Sequence, residues 1–64
     1  MQFHVADMAC DGCVKAITQA ILAIDPGALV SADLDSQMVR VNTRADQSEI
    51  AQALSAAGYP ARAV

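Results

Sequence analysis

Cys10 and Cys13 are the only cysteines in a chain of 64 residues, and they close the run Asp7-Met8-Ala9-Cys10-Asp11-Gly12-Cys13. Two thiolates at this spacing can hold one soft ion between them. The thiolate is the metal-binding form, and a free thiol is mostly protonated at neutral pH, so the surroundings must lower its pKa. Soft sulfur donors select Cu(I), with Zn(II) also able to bind. A structural zinc site wants four Cys, His or carboxylate ligands in a tetrahedron, more than this run supplies. Zinc would therefore need water, a carboxylate such as Asp7 or Asp11, or a second molecule. The pair leans toward low-coordinate capture of copper and leaves zinc open.

The flanking pattern decides where the two sulfurs sit. Phe3 and Val5 alternate with Gln2 and His4, which predicts a strand with one buried face, and Met8 continues the apolar set beyond Asp7. A loop over residues 9–12 follows. Val14, Ile17, Ile21 and Ile24 then fall on one stripe of a helix, which must end by Asp25, ahead of Pro26-Gly27. Cys13 thus belongs to the first turn, where unpaired N–H groups and the positive end of the helix dipole favour an anion. Cys10 precedes it in the loop, and Gly12 is expected to let the backbone wrap an ion.

Downstream, Val30, Ala32 and Leu34 alternate with Ser31, Asp33 and Asp35, and Val39 and Val41 alternate with Arg40 and Asn42. With the polar tip Asp35-Ser36-Gln37 between them, these form a β-hairpin. Asp46-Gln47-Ser48-Glu49 reads as a capping box with Asp46 at the cap. Ile50, Ala53, Leu54 and Ala57 make a second helical stripe that Gly58 stops. Residues 59–64 read as a final edge strand, because Pro60 cannot donate to a ladder. The order βαββαβ predicts an α+β, ferredoxin-like sandwich: two helices on one face of a four-stranded antiparallel sheet, in a single domain over residues 1–64.

A Cys-x-x-Cys pair alone is a weak signal, but here it follows a strand, opens a helix and has a methionine two residues ahead of it. In this setting the chain resembles the heavy-metal-associated domain family, whose signature is Met-x-Cys-x-x-Cys. That family includes soluble copper chaperones and the N-terminal domains of metal-pumping P-type ATPases. The resemblance covers essentially the whole chain and implies that Cys10 and Cys13 are the metal ligands. Gly58-Tyr59-Pro60 looks like the loop before the last strand, where bacterial copper chaperones commonly have a tyrosine near the ion, so Tyr59 points to a bacterial-type chaperone. The chain departs from the family in having Asp7 before the methionine and Ala9 after it, where Gly and Thr or Ser are frequent. A carboxylate near the cysteines is a feature of zinc-handling relatives.

Composition narrows the partners. The chain is 55% hydrophobic but only 3% aromatic, so its core must be built from aliphatic side chains, with Phe3 and Tyr59 the sole rings. Lys15, Arg40, Arg44 and Arg62 are scattered against seven acids, and the net charge of −3 argues against nucleic acid as a partner. The surface charge serves mainly solubility and weakly favours a partner with a basic face. The N-terminus has no basic start and no long apolar run, and no stretch approaches the roughly 20 apolar residues of a membrane span. The cytosol is the expected compartment, where a close cysteine pair stays reduced.

The remaining candidates have simpler readings. Met8 could offer a thioether, but its place on the strand pattern makes it a core residue that shapes the loop. His4 lies roughly 13 Å from Met8 along an extended chain at about 3.3 Å per residue, so it is read as a solvated sheet-face histidine rather than a ligand of the same ion. Met38 has the opposite parity to Val39 and Val41 and is given no role.

The expected function is that of a cytosolic copper metallochaperone. Two exposed thiolates hold Cu(I) loosely enough for a partner's cysteines to attack it through a three-sulfur intermediate. By resemblance the partner is a copper-transporting P-type ATPase, and two such loops could also share ions in a metal-bridged homodimer. Zinc or another soft metal is the alternative cargo. A thiol oxidoreductase is a further alternative, since Cys-x-x-Cys at a helix start also describes redox sites. Asp11-Gly12 between the cysteines and the lack of Trp speak against it. A hydrolytic enzyme is not expected, because one histidine and dispersed carboxylates cannot supply base, nucleophile and orienting group together.

Overall fold

The computed structural model describes residues 1–64. The strands are β1 (Gln2–His4), β2 (Leu29–Asp33), β3 (Met38–Asn42) and β4 (Arg62–Ala63), and the helices are α1 (Asp11–Ile24) and α2 (Gln47–Ala56). They form one four-stranded sheet in the order β2-β3-β1-β4. β1 runs antiparallel to both β3 and β4, and β2 antiparallel to β3. This is the expected ferredoxin-like βαββαβ arrangement.

The core lies between the helices and one sheet face. Phe3, Val5, Met8, Val39 and Val41 come from the sheet and the loop after β1; Ile17, Ile21, Ile50 and Leu54 come from the helices. Ala28, just ahead of β2, completes the cluster. All ten buried residues are apolar, and no buried side-chain nitrogen or oxygen lacks a partner. Fully burying each large aliphatic side chain contributes about 1.5–3 kcal/mol, so a few Ile and Leu per helix dock both helices.

Several local expectations need correction. Ile24, at the last position of the α1 stripe, is 36% exposed, because periodicity identifies a face but not where the covering layer ends. Leu34 falls in the hairpin turn rather than in β2, and Gln37 closes that turn with φ of 57°. Asp46 does stand at the N-cap of α2, but its side chain makes no capping hydrogen bond. The approach to α2 is held instead by the Thr43 hydroxyl, which accepts from Ala45 N–H at 3.2 Å and donates to Asp25 Oδ2 at 2.6 Å. Asp25 Oδ1 accepts from Gly27 N–H at 3.0 Å, so one carboxylate fastens the end of α1 to the start of the second βα unit.

The final strand is two residues long rather than six, and Tyr59, Pro60 and Ala61 stay outside it. The cause is the end of α2. Ala57 is the C-cap and Gly58 adopts φ of 92°, a left-handed conformation that glycine takes without penalty. Gly58 N–H donates to Ser55 O at 3.0 Å and Tyr59 N–H to Leu54 O at 2.8 Å, the paired bonds of a Schellman motif. The motif fixes the direction in which Tyr59 leaves the helix.

Candidate metal centre

Cys10 is the N-cap of α1, in an extended conformation (φ −153°, ψ 165°). Its carbonyl accepts from Cys13 N–H at 3.1 Å and from Val14 N–H at 3.2 Å. Its sulfur accepts from the same Cys13 N–H at 3.4 Å. Cysteine thus does here what Ser, Thr, Asp or Asn usually does at a helix start. Cys13 is the third helical residue, so its side chain turns back over the cap, and the two sulfurs stand 2.9 Å apart with a hydrogen between them. Both thiols are free; Cys10 is exposed and Cys13 half-buried.

The proton is easily displaced. The pKa of Cys13 is lowered from an ordinary 9.0 to about 7, chiefly by its hydrogen bond with Cys10, then by the Tyr59 hydroxyl and by the Ala9 backbone. The Tyr59 hydroxyl in turn is raised, first by its interaction with Cys13 and then by desolvation. A sulfur that accepts these bonds is better able to carry negative charge. The Tyr59 ring is half-buried and packs against the core, with its hydroxyl directed at the cysteine end.

The loop is supported from below and from the side. Met8 is fully buried, so its thioether is part of the core under the loop and not presented with the thiols. Met8 N–H donates to Val5 O at 3.1 Å, which turns the chain out of β1. Gln37, across the hairpin, donates from Nε2 to Ala6 O at 2.9 Å, while its own carbonyl accepts from Val5 N–H at 2.9 Å. The sequence places Gln37 in the polar tip of the hairpin but carries no sign of this bond to the loop after β1. Gly12 lies inside α1 without a left-handed φ, and a methyl group added there would meet Cys10 Sγ at 3.8 Å, an ordinary contact. The backbone does not need glycine at this point.

No third His, Cys, Asp or Glu joins the cysteines, so Asp7, Asp11 and His4 do not form a ligand cluster with them. The chain offers two sulfurs and open space. A tetrahedral zinc at about 2.3 Å from each sulfur would hold them roughly 3.8 Å apart, and a linear two-coordinate ion farther still. Gripping an ion through both thiolates means losing the protons of both sulfurs, the shared one included, and spreading the 2.9 Å gap. One sulfur belongs to the N-cap of the helix, where such movement disturbs only the first turn.

Residues 2–60 match the heavy-metal-associated domain, and the chain belongs to that family. Its structure is similar to that of the copper chaperone Atx1 from Synechocystis PCC6803 in a trimeric form, with a TM-score of 0.95 at 31% identity over 97% of this chain and 98% of that one. A gold-binding protein is similar at a TM-score of 0.94 and 42% identity, over 97% of this chain and 95% of the other. Agrobacterium tumefaciens Atu1203 is similar at a TM-score of 0.85 and 43% identity, with 94% of each chain covered. Comparison with proteins of curated function returned no match. No helix here is long and apolar enough to cross a membrane.

Proposed function

We propose that this protein is a Cu(I) metallochaperone in which residues 1–64 act as one domain and Cys10 and Cys13 are the two ligands. The observation that carries this reading is the pair of sulfurs at the exposed start of α1, 2.9 Å apart, with no third protein ligand to close the coordination sphere. An ion held by two thiolates and open on its outer side is accessible to the cysteines of a partner. One incoming thiolate makes a three-sulfur intermediate, departure of one of the original sulfurs makes the next, and the ion passes without ever being free in water. Tyr59 stabilises the thiolate of Cys13 and covers one side of the site.

Several further points of the reading rest on the resemblance to the family. The receiving partner is a copper-transporting P-type ATPase, through a soluble metal-binding domain or its membrane entry site, and the compartment is the reducing cytosol. Two loops meeting face to face can offer four sulfurs, which makes a metal-bridged homodimer a second mode of the same site. The protein delivers a cargo and performs no catalytic turnover.

A second reading keeps the site and changes the cargo. The similarity to a gold-binding protein at 42% identity supports another soft, low-coordinate ion as well as copper. Zinc must complete its tetrahedron from water or a second molecule. Transfer separates these readings: the Cu(I)-loaded protein, mixed with a copper ATPase metal-binding domain and then separated by anion exchange, is expected to have given up its copper in proportion to the relative affinities. Copper remaining on the donor, with zinc or gold exchanging under the same conditions, contradicts the copper assignment.

A further inference from the structure

A second pair of soft donors lies on the open face of the sheet, away from the cysteines. His4 of β1 and Met38 of β3 are direct partners in the antiparallel register. The bonds Val5 N–H to Gln37 O and Val41 N–H to Met1 O, both 2.9 Å, assign the odd-numbered residues of β1 to hydrogen-bonded pairs with β3. His4 and Met38 are therefore a non-hydrogen-bonded pair, the type in which Cα atoms approach to about 4.5 Å and side chains stand closest. Phe3 and Val39, next to them in each strand, are fully buried, so His4 and Met38 project from the opposite face. Both are half-buried by their neighbours.

Core packing does not explain Met38. It is absent from the side chains that pack on the hydrophobic cluster, and it borders a shallow depression of about 380 Å³ whose other walls include Gln2, Ser31, Asp33 and Arg40, while His4 stands just outside it, beside Arg62. A half-buried thioether thus stands in polar surroundings beside the only imidazole of the chain. The other methionines stand elsewhere: Met8 is fully buried, and Met1, although 41% exposed, has the parity of Phe3 and so lies on the opposite face from His4. Asp33, the partner of Met38 on β2, places a negative charge on one side of the pair, while Arg62, the partner of His4 on β4, stands on the other, so the two donors and not the surrounding charge must carry the affinity.

We propose that the His4 imidazole nitrogen and the Met38 sulfur form a second binding site for a soft monovalent cation, Cu(I) or its redox-inert analogue Ag(I). Thioether sulfur selects such ions, and neutral imidazole binds copper well. Both donors are uncharged, so this site binds more weakly than two thiolates and fills after them. The inference does not depend on what the cysteine pair carries.

The test uses silver nitrate in chloride-free buffer and follows the His4 ring and Met38 methyl resonances by NMR. The Cys10→Ser/Cys13→Ser variant is titrated directly, and the unaltered protein is titrated past saturation of its cysteines, so a poorly folded double variant does not decide the result. The expected outcome is that both resonances move together to a saturable limit. Met38→Leu or His4→Gln should then weaken binding by about tenfold or more, the scale on which loss of a supporting group weakens a metal site. A His4 ring that titrates equally well in Met38→Leu would reduce the site to a simple histidine adduct and overturn the proposal, as would resonances that do not move.

Discussion

The sulfur of Cys10 accepts a hydrogen bond from the Cys13 backbone N–H at 3.4 Å while lying 2.9 Å from the Cys13 sulfur. One atom therefore caps the helix and shares a proton with the neighbouring sulfur. Negative charge on the Cys10 sulfur strengthens the cap, and the cap in turn holds both sulfurs at the start of α1.

This coupling predicts a thiol that titrates near neutrality. Cys13 has its pKa lowered from 9.0 to about 7, so the folded state favours the thiolate. For a depressed pKa the stabilising contribution is complete above the unfolded value and is lost as pH falls through the folded one. Thiolate absorbance should show a midpoint near 7, which rises in Cys10→Ser and rises by less in Tyr59→Phe, following the order of the two contributions. An unchanged midpoint in Cys10→Ser would remove the basis of the coupling.

Met8 separates support from ligation. Met8→Ala should destabilise the fold by about 2–5 kcal/mol, the usual cost of truncating a large core side chain, measured by denaturant unfolding. Met8→Leu keeps the volume and should stay within about 1.5 kcal/mol. It should also retain full Cu(I) affinity, because the thioether is buried away from the thiols. A marked loss of affinity in Met8→Leu would make that sulfur a ligand.

Gly58 links helix termination to the site. Gly58→Ala forces a side chain into φ of 92° and should cost about 1 kcal/mol. Because the same turn aims Tyr59, the Cys13 midpoint should rise as well, toward the value of Tyr59→Phe. Loss of stability with no change in that midpoint would show that Tyr59 reaches the site independently of the turn.

Acid sensitivity should come from the far end of the molecule. Asp25 has its pKa held below the ordinary 3.8, first by the Thr43 hydroxyl and then by the Gly27 and Arg44 backbone N–H groups. Its contribution is present above the ordinary value and is lost as pH falls through the lower folded one. Asp25→Asn should lower the unfolding midpoint at neutral pH and flatten its decline in acid. A decline as steep as in the unaltered protein would assign acid sensitivity to other carboxylates.

The sequence was informative wherever a pattern repeats over several residues. Ile17 and Ile21 on α1, Ile50 and Leu54 on α2, and the alternation of Phe3, Val5, Val39 and Val41 mark the buried faces, and these faces leave little choice of topology. Cys10 and Cys13 were legible because residue type, spacing and position at a helix start agree. Single contacts between distant segments left no such trace. The Gln37 bond to Ala6 joins residues 31 apart, and the Thr43 bond to Asp25 joins residues 18 apart. Asp46 carries the local signature of a cap without the bond, because the chain entering α2 is already fastened by Thr43 and Asp25. The shortness of β4 follows from the helix-ending turn and Pro60, whose joint effect a strand pattern does not express.

The most direct test of the account is an anaerobic titration of the reduced protein with Cu(I), and separately with Zn(II), against chromogenic competitors, repeated on Cys10→Ser and Cys13→Ser. The account predicts tight Cu(I) binding that is lost in both variants while the fold persists, and Zn(II) binding far weaker than Cu(I) after allowance for copper's inherently higher thiolate affinity. Tight Cu(I) binding that survives in both variants, or a preference for Zn(II) after that allowance, would contradict it.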